Sequence, residues 1–137
     1  MRSSFREKSL WLMLASLVGV FGFYFATALP SPNQDVMPEQ MVQFVLAIVM
    51  LVVIQVVGHA VIAIVDRRAD VDERDKLIEL RGTNYSSYVM GTGAFFSLCA
   101  ALVTNGNFVF THILLAFWVL AEITRIASQL FMHRKGV

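Results

Sequence analysis

The sequence contains few charged residues and a single cysteine. Charged residues make up 15% of the 137 positions and hydrophobic residues 57%, a balance too apolar for a water-soluble domain of this length. Cys99 has no partner for a disulfide within the chain, and we expect it to be a small buried core residue. Eleven basic and ten acidic residues nearly cancel, and no basic stripe with interleaved aromatic residues is present, which argues against direct binding of nucleic acid.

Catalytic and cofactor-binding motifs are absent from the sequence as well. It has no H-E-x-x-H, no G-x-S-x-G, no phosphate-binding P-loop and no histidine pair at metal-ligand spacing. An enzyme is therefore the least favoured class, and we expect no catalytic residue, no metal site and no cofactor. One enzymatic alternative stays open, a lipid-modifying enzyme that uses His59 with an aspartate at the inner membrane interface.

Four long apolar segments are present, over residues 10–29, 41–65, 85–103 and 108–132. A helix needs about 20 apolar residues to cross the hydrocarbon core at about 1.5 Å per residue, and each segment meets that length. The segments predict an all-α integral membrane protein, a four-helix bundle that forms a single domain over residues 1–137. The first segment, with basic residues before it and Ala26-Thr27-Ala28 near its end, also resembles a cleaved signal peptide. Its apolar run is longer than usual for such a peptide and favours a retained span.

Every arginine and lysine except Arg125, which lies inside the fourth span, falls on one side of the four spans. They precede the first span, occur between the second and third, and follow the fourth, whereas the connections 30–40 and 104–107 contain no arginine or lysine. All three prolines fall in the first of these connections, which is typical of a loop. The positive-inside rule then predicts a multi-pass protein of the cell (inner) membrane with both termini in the cytoplasm.

The polar connection over residues 66–84 predicts a short cytoplasmic helix between the second and third spans. Asp70 and Glu73 match a capping box, so the helix would begin just after Asp70, and Gly82 would end it. Asp70 and Arg74, four residues apart with the acid first, would add a few tenths of a kcal/mol.

Three carboxylates share one face of this predicted helix. Asp72, Asp75 and Glu79 stand at positions i, i+3 and i+7, where they could hold a hard cation or contact a basic partner. One helical face cannot supply a full ligand shell for calcium or magnesium. The simpler interpretation is a charged face in contact with solvent.

A resemblance to a known family rests on the charged run Asp72-Glu73-Arg74-Asp75-Lys76-Leu77-Ile78-Glu79, followed by Arg81-Gly82. The run resembles a family of small bacterial and archaeal four-span membrane proteins of unknown function that carry a central cytoplasmic Asp-Glu-Arg motif. The resemblance covers residues 66–96 and the four-span layout. Members are often encoded beside small helix-turn-helix regulators, so the resemblance implies a cytoplasmic regulatory protein as partner and implies no catalytic residue.

The favoured function is therefore a non-enzymatic regulatory or interaction protein. It would bind its partner through the charged connection over residues 66–84. The predicted partner-binding residues are Asp72, Glu73, Arg74, Asp75 and Glu79. Such a role needs a charged surface outside the membrane and no catalytic group, and the sequence offers this combination.

Ionisable and amide side chains inside the apolar segments form two stripes. Gln55 and His59 are four residues apart in the second span, and Glu122 and Arg125 are three apart in the fourth. Such residues are costly at membrane depth, which makes them candidates for function. Counted from the inner interface, His59 and Arg125 lie at similar depths, about 10 to 12 Å in at about 1.5 Å per residue. We predict an intramembrane polar cluster in which His59 or Gln55 donates across to a Glu122–Arg125 pair.

Two interpretations of this cluster stay open. In the functional one, the protein is a small oligomeric transporter or channel that uses His59, Glu122 and Arg125 to handle protons or cations. In the structural one, these side chains join helices while Arg125 reaches the inner headgroups. The known small multidrug exporters also have four spans, but they use a key glutamate in the first, where this sequence has no acid.

Small residues recur every four positions in two of the spans. Gly93, Ser97 and Ala101 do so in the third span, and Ala15 and Gly19 in the first. Flat faces of this kind allow helices to approach closely in a membrane. We therefore expect close helix packing, self-association into a homo-oligomer, and membrane lipids around the remaining surface.

Overall fold

The chain forms an all-α membrane protein. The computed structural model describes residues 5–29, 35–65 and 73–135. Its helices are α1 (Phe5–Ala28), α2 (Pro38–Val65), α3 (Glu73–Val103) and α4 (Phe108–Lys135), and no strand occurs within these ranges. Each helix is long and apolar enough to cross a membrane. The predicted multi-pass, four-helix architecture is confirmed.

The bundle has two distinct ends. α1 begins and α4 ends at one of them, the terminal end, which also contains the last turns of α2 and the first turns of α3. The opposite end, the loop end, holds the α1–α2 and α3–α4 connections. There the Val36 N–H donates to Asn107 Oδ1 at 2.8 Å, and the Asn107 N–H donates to Asp35 Oδ1 at 3.2 Å. These bonds join the two connections.

The helix boundaries follow local sequence signals. Pro38 is the first residue of α2, a position where its missing N–H costs nothing. The Gln40 side chain accepts a hydrogen bond from the Met37 N–H at 3.0 Å, which satisfies one of the free amides at this helix start. Between α3 and α4, Gly106 has a φ of 77°, a conformation that glycine adopts without strain.

The predicted helix end at Gly82 is wrong. α3 continues unbroken from Glu73 to Val103, so the expected short cytoplasmic helix is the first part of the third membrane helix. Gly82 is buried, and a Cβ atom built on it would lie 2.9 Å from the Arg125 carbonyl oxygen. The glycine therefore allows α3 to approach α4 closely. The predicted capping residue and ion-pair partner Asp70 lies outside the described residues.

The helices lie in the order α2, α1, α4, α3. α1 packs between α2 and α4, and α4 packs between α1 and α3, whereas within the described ranges α2 has no close backbone contact with α3 or α4. The buried core lies between α1, α2 and α4 and includes Leu17, Phe21, Ala47, Leu51, Val119 and Ile126. Cys99, which we expect in the core, is exposed, because among the described helices α3 has close backbone contact with α4 only.

The two stripes of small residues have different environments. Gly93 and Ser97 are buried, and a Cβ atom on Gly93 would collide with the Phe117 side chain of α4. Ala15 and Gly19 are exposed instead, and no atom lies within 4 Å of a Cβ atom built on Gly19. Gly93 and Ser97 therefore serve the α3–α4 contact, whereas Ala101 and the stripe of α1 are exposed within the described part of the chain.

Candidate functional site

Charged side chains join α1 to its neighbours at the terminal end. Arg6 pairs with Glu79 of α3 at 2.9 Å, and Arg134 of α4 lies 3.6 Å from the Glu7 carboxylate. The Arg134 guanidinium also lies over the Trp11 ring, 5.5 Å from its centroid. These contacts hold the start of α1 against the first turns of α3 and the last turns of α4.

A second set of contacts joins α3 directly to α4 at this end. His133 Nδ1 lies 3.8 Å from Asp75 Oδ1, and the His133 side chain is largely buried. Arg74 donates to the backbone carbonyls of Met132 and His133, each at 3.4 Å. Carbonyls in the last turn of a helix lack hydrogen-bond partners within the helix and lie at the negative end of its dipole. The Arg74 guanidinium supplies both a hydrogen-bond donor and a positive charge there.

The predicted partner-binding residues therefore divide into two groups. Arg74 and Asp75 contact the end of α4, and Glu79, although 54% exposed, pairs with Arg6, so the acids do not form a free acidic face. Glu73 is exposed at the start of α3, and Asp72 lies outside the described residues. Within the described ranges, no group of three or more His, Cys, Asp or Glu side chains is placed to hold a metal ion.

The other side of the first turns of α3 is exposed. We call it the α3 outer face, and it consists of Glu73, Lys76, Leu77, Leu80 and Arg81, all exposed. These positions lie on one side of a helix with 3.6 residues per turn. Leu77 is 46% exposed and Leu80 59% exposed, so two large apolar side chains lie uncovered between basic ones.

Two of the predicted intramembrane polar residues form a pair on α4. Arg125 donates to Glu122 Oε2 through Nη2 at 2.6 Å and through Nε at 3.1 Å, and about a quarter of each side chain is exposed. The pair lies within one turn and neutralises a carboxylate that hydrocarbon could not solvate.

His59 contacts α1 and not this pair. Its Nδ1 lies 2.6 Å from the Gln55 carbonyl oxygen, which can only accept, so Nδ1 carries the hydrogen and Nε2 accepts from the Ser9 hydroxyl at 2.5 Å. Within the described residues no hydrogen bond joins His59 or Gln55 to Glu122, because α2 lies beside α1 and has no close backbone contact with α4.

His112 repeats this arrangement near the loop end. Its Nδ1 donates to the Phe108 carbonyl at 2.9 Å, and its Nε2 accepts from the Tyr24 hydroxyl at 3.1 Å, with both side chains buried. α1 is thus joined to α2 by a serine–histidine bond and to α4 by a tyrosine–histidine bond. Nothing in the sequence pattern singles out either hydroxyl, because an isolated serine or tyrosine in an apolar helix has no spacing partner.

Three apolar grooves lie between the described helices, and none of the three is lined by His59, Glu122 or Arg125. The Glu122 carboxylate accepts two hydrogen bonds from Arg125, which compensates its negative charge. The transporter or channel interpretation stays a prediction.

No family model, curated protein or solved structure matches this chain. The resemblance to four-span proteins with an Asp-Glu-Arg motif stays a prediction.

Proposed function

We propose that the protein is a non-enzymatic integral membrane protein that binds a cytoplasmic protein partner through the α3 outer face. The observation that carries the proposal is the exposure of Leu77 and Leu80 on a part of α3 that extends beyond the apolar span. In this proposal the terminal end lies in the cytoplasm, as the distribution of basic residues favours.

The length of α3 supports a surface outside the membrane. Its 31 residues span about 46 Å, whereas the hydrocarbon core is about 30 Å thick. Tyr85 and Tyr88 are exposed and suit the membrane interface. Leu77 lies eight residues before Tyr85, or about 12 Å along the helix, whereas the headgroups add about 5 to 7 Å on each side. Lipid chains would therefore not cover Leu77.

The chemistry of the face indicates the kind of partner. Lys76 and Arg81 form no ion pair within the described residues, and they flank the two leucines. A partner with an apolar centre and acidic groups at its edge would complement this arrangement. A regulatory protein as the partner is supported by the family resemblance.

The ion pairs at the terminal end suit such a role. Glu79 and Asp75 hold the opposite side of the same helix against α1 and α4, so the outer face is presented on a backbone fixed at several points. A surface that is already ordered loses less conformational entropy on binding than a flexible loop would.

The experiment places a photoreactive amino acid at Leu77 in cells and identifies its adducts in native membranes. The same amino acid at Leu98, exposed in the apolar part of α3, is the control and should give lipid adducts. We expect a discrete protein adduct at Leu77. The adduct should weaken in Lys76→Glu but persist in Lys135→Glu, which makes the same charge change at the same end of the bundle on α4.

Three outcomes would contradict the proposal. Lipid adducts alone at Leu77 would mean that the outer face lies in the membrane. Adducts to a second copy of the chain would make this face a site of self-association. A protein adduct equally weakened by Lys76→Glu and Lys135→Glu would mean that general charge, and not the outer face, determines binding.

A further inference from the structure

Four polar side chains lie on one exposed side of α3. Arg81, Asn84, Tyr85 and Tyr88 occupy positions i, i+3, i+4 and i+7, which are neighbours on the surface of a helix. All four are exposed, Tyr85 by 49% and Tyr88 by 75%. None of these four side chains forms a hydrogen bond or an ion pair within the described ranges. We call them the α3 polar stripe, and their hydrogen-bond donors are available to a ligand.

The α3 polar stripe lies at the depth of the lipid headgroups. Tyr85 and Tyr88 suit the membrane interface, and Arg81 lies four residues before Tyr85, or about 6 Å farther from the membrane centre along the helix. The headgroup layer is about 5 to 7 Å thick on each side of the hydrocarbon core. Side chains of a helix lean toward its N-terminus, which for α3 is the terminal end, so both tyrosines lean toward Arg81.

Arg81 carries a positive charge that no described acid neutralises. The positions one turn before and after it, 77, 78, 84 and 85, hold no acid. Glu79, two residues before Arg81, projects from the opposite side of the helix and pairs with Arg6 at 2.9 Å. Lys76 is exposed, forms no ion pair within the described ranges, and adds a second positive charge about 8 Å farther out. The charge of this side of α3 therefore favours an anion over a cationic headgroup such as choline.

We propose that the α3 polar stripe binds the phosphate group of an anionic membrane glycerophospholipid. The Arg81 guanidinium matches the geometry of two phosphate oxygens, and the Asn84 amide supplies a further donor beside it. The Tyr85 and Tyr88 hydroxyls donate to the phosphate or to the ester oxygens next to it, while their rings lie against the glycerol and the first acyl carbons. A free phosphate ion would leave both rings without a contact, and the lipid is therefore the favoured ligand.

The α3 polar stripe adjoins the α3 outer face and shares only Arg81 with it. Arg81 is the residue of that face nearest the membrane, so a bound phosphate leaves Lys76, Leu77 and Leu80 accessible to a protein partner. Lipid binding here rests on the interfacial position of the tyrosines that the proposed function uses, and it needs no protein partner.

The test uses purified protein in phosphatidylcholine vesicles that contain a trace of phosphatidylglycerol or of phosphatidylcholine with a diazirine next to the acyl ester. After irradiation, mass spectrometry locates the adducts, and the ratio of the two probes gives the preference for phosphatidylglycerol at each residue. The reference is Trp11 of α1, 45% exposed, whose neighbouring cation Arg134 lies 3.6 Å from the Glu7 carboxylate. We expect a higher preference at Tyr85 than at Trp11. Unlabelled phosphatidylglycerol should displace the probe at Tyr85, whereas inorganic phosphate should not.

Two pairs of variants separate the α3 polar stripe from general charge. Arg81→Gln should lower the preference for phosphatidylglycerol at Tyr85 about fivefold, the effect of one basic residue at an anionic membrane surface. Lys76→Gln removes one charge from the same helix and should have a smaller effect, since it lies about 8 Å farther out, close to one Debye length. Asn84→Ala should also lower the preference, whereas Thr83→Ala should not, because the Thr83 hydroxyl donates to a carbonyl of its own helix. The four replaced side chains are exposed, so the bundle keeps its packing.

Three results would overturn the proposal. Equal effects of Arg81→Gln and Lys76→Gln would mean that the overall charge of the terminal end attracts the lipid. An equal preference at Tyr85 and Trp11 would have the same meaning. Displacement of the probe by inorganic phosphate would make the α3 polar stripe a site for the free ion. Absence of a protein adduct at Leu77 in cells, with the lipid preference intact, would contradict the proposed function alone.

Discussion

Gly82→Ala tests whether the close approach of α3 and α4 determines the stability of the bundle. The added Cβ atom would lie 2.8 Å from Gln129 Cγ and 2.9 Å from the Arg125 carbonyl oxygen. Carbon–oxygen contacts between helices usually lie at about 3.3 to 3.6 Å. The carbonyl belongs to the backbone of α4 and cannot rotate away, so the two helices must separate by about half an ångström at this point.

The loss of stability in Gly82→Ala is best measured relative to Gly91→Ala. Gly91 lies on the same helix, and a Cβ atom built on it would meet no atom within 4 Å. Both variants gain the helix propensity of alanine over glycine, about 1 kcal/mol, so this term cancels between them. The remaining difference is the cost of overpacking, about 1 to 3 kcal/mol. We expect Gly82→Ala to be less stable than Gly91→Ala by that amount.

The assay is unfolding of purified protein in mixed micelles by increasing SDS, followed by tryptophan fluorescence. Trp118 of α4 reports on the core because its ring lies edge-on to Phe21 of α1, with the centroids 5.7 Å apart. Gly82→Ala and Gly91→Ala with equal free energies of unfolding would refute the close approach of α3 and α4 at Gly82.

Two further variants test polar contacts in the same assay. Tyr24→Phe removes the hydroxyl that donates to buried His112. We expect a loss of about 0.6 kcal/mol, the average for hydrogen bonds between membrane helices, and at most about 1.7 kcal/mol. An unchanged free energy of unfolding would mean that the bond contributes nothing. Arg125→Leu leaves the Glu122 carboxylate without its partner, so it should be less stable by about 1 kcal/mol or more than the double variant that also carries Glu122→Leu. A double variant no more stable than the single one would contradict this reasoning.

The membrane spans follow from the sequence because apolar length alone determines them. α2 ends at residue 65 and α4 begins at residue 108, as the apolar segments predict. The sequence predicts a helix end at Gly82 because it does not distinguish a glycine that ends a helix from a glycine that lets two helices approach closely.

The sequence does not predict the order in which the helices pack. Apolar side chains surround α2 on nearly every side, so its sequence does not reveal which face packs on α1. Residue counting predicts similar depths for His59 and Arg125, but the contacts of these residues depend on helix order. The charged connection over residues 66–84 is predicted to be a surface, whereas the contacts of Asp75 and Glu79 within the bundle depend on where α4 ends and where α1 begins.

The helix order also constrains how the chain assembles during synthesis. α1 enters the membrane first, but one of its two partners, α4, follows about 80 residues later. The face of α1 that carries Tyr24 is therefore exposed to lipid until the segment with His112 is synthesised, whereas α2 can pack against α1 earlier. α3 and α4, joined by a short turn, can form their own hairpin before docking. Joining these two helix pairs then requires the α1–α4 contact, which includes the Tyr24–His112 bond.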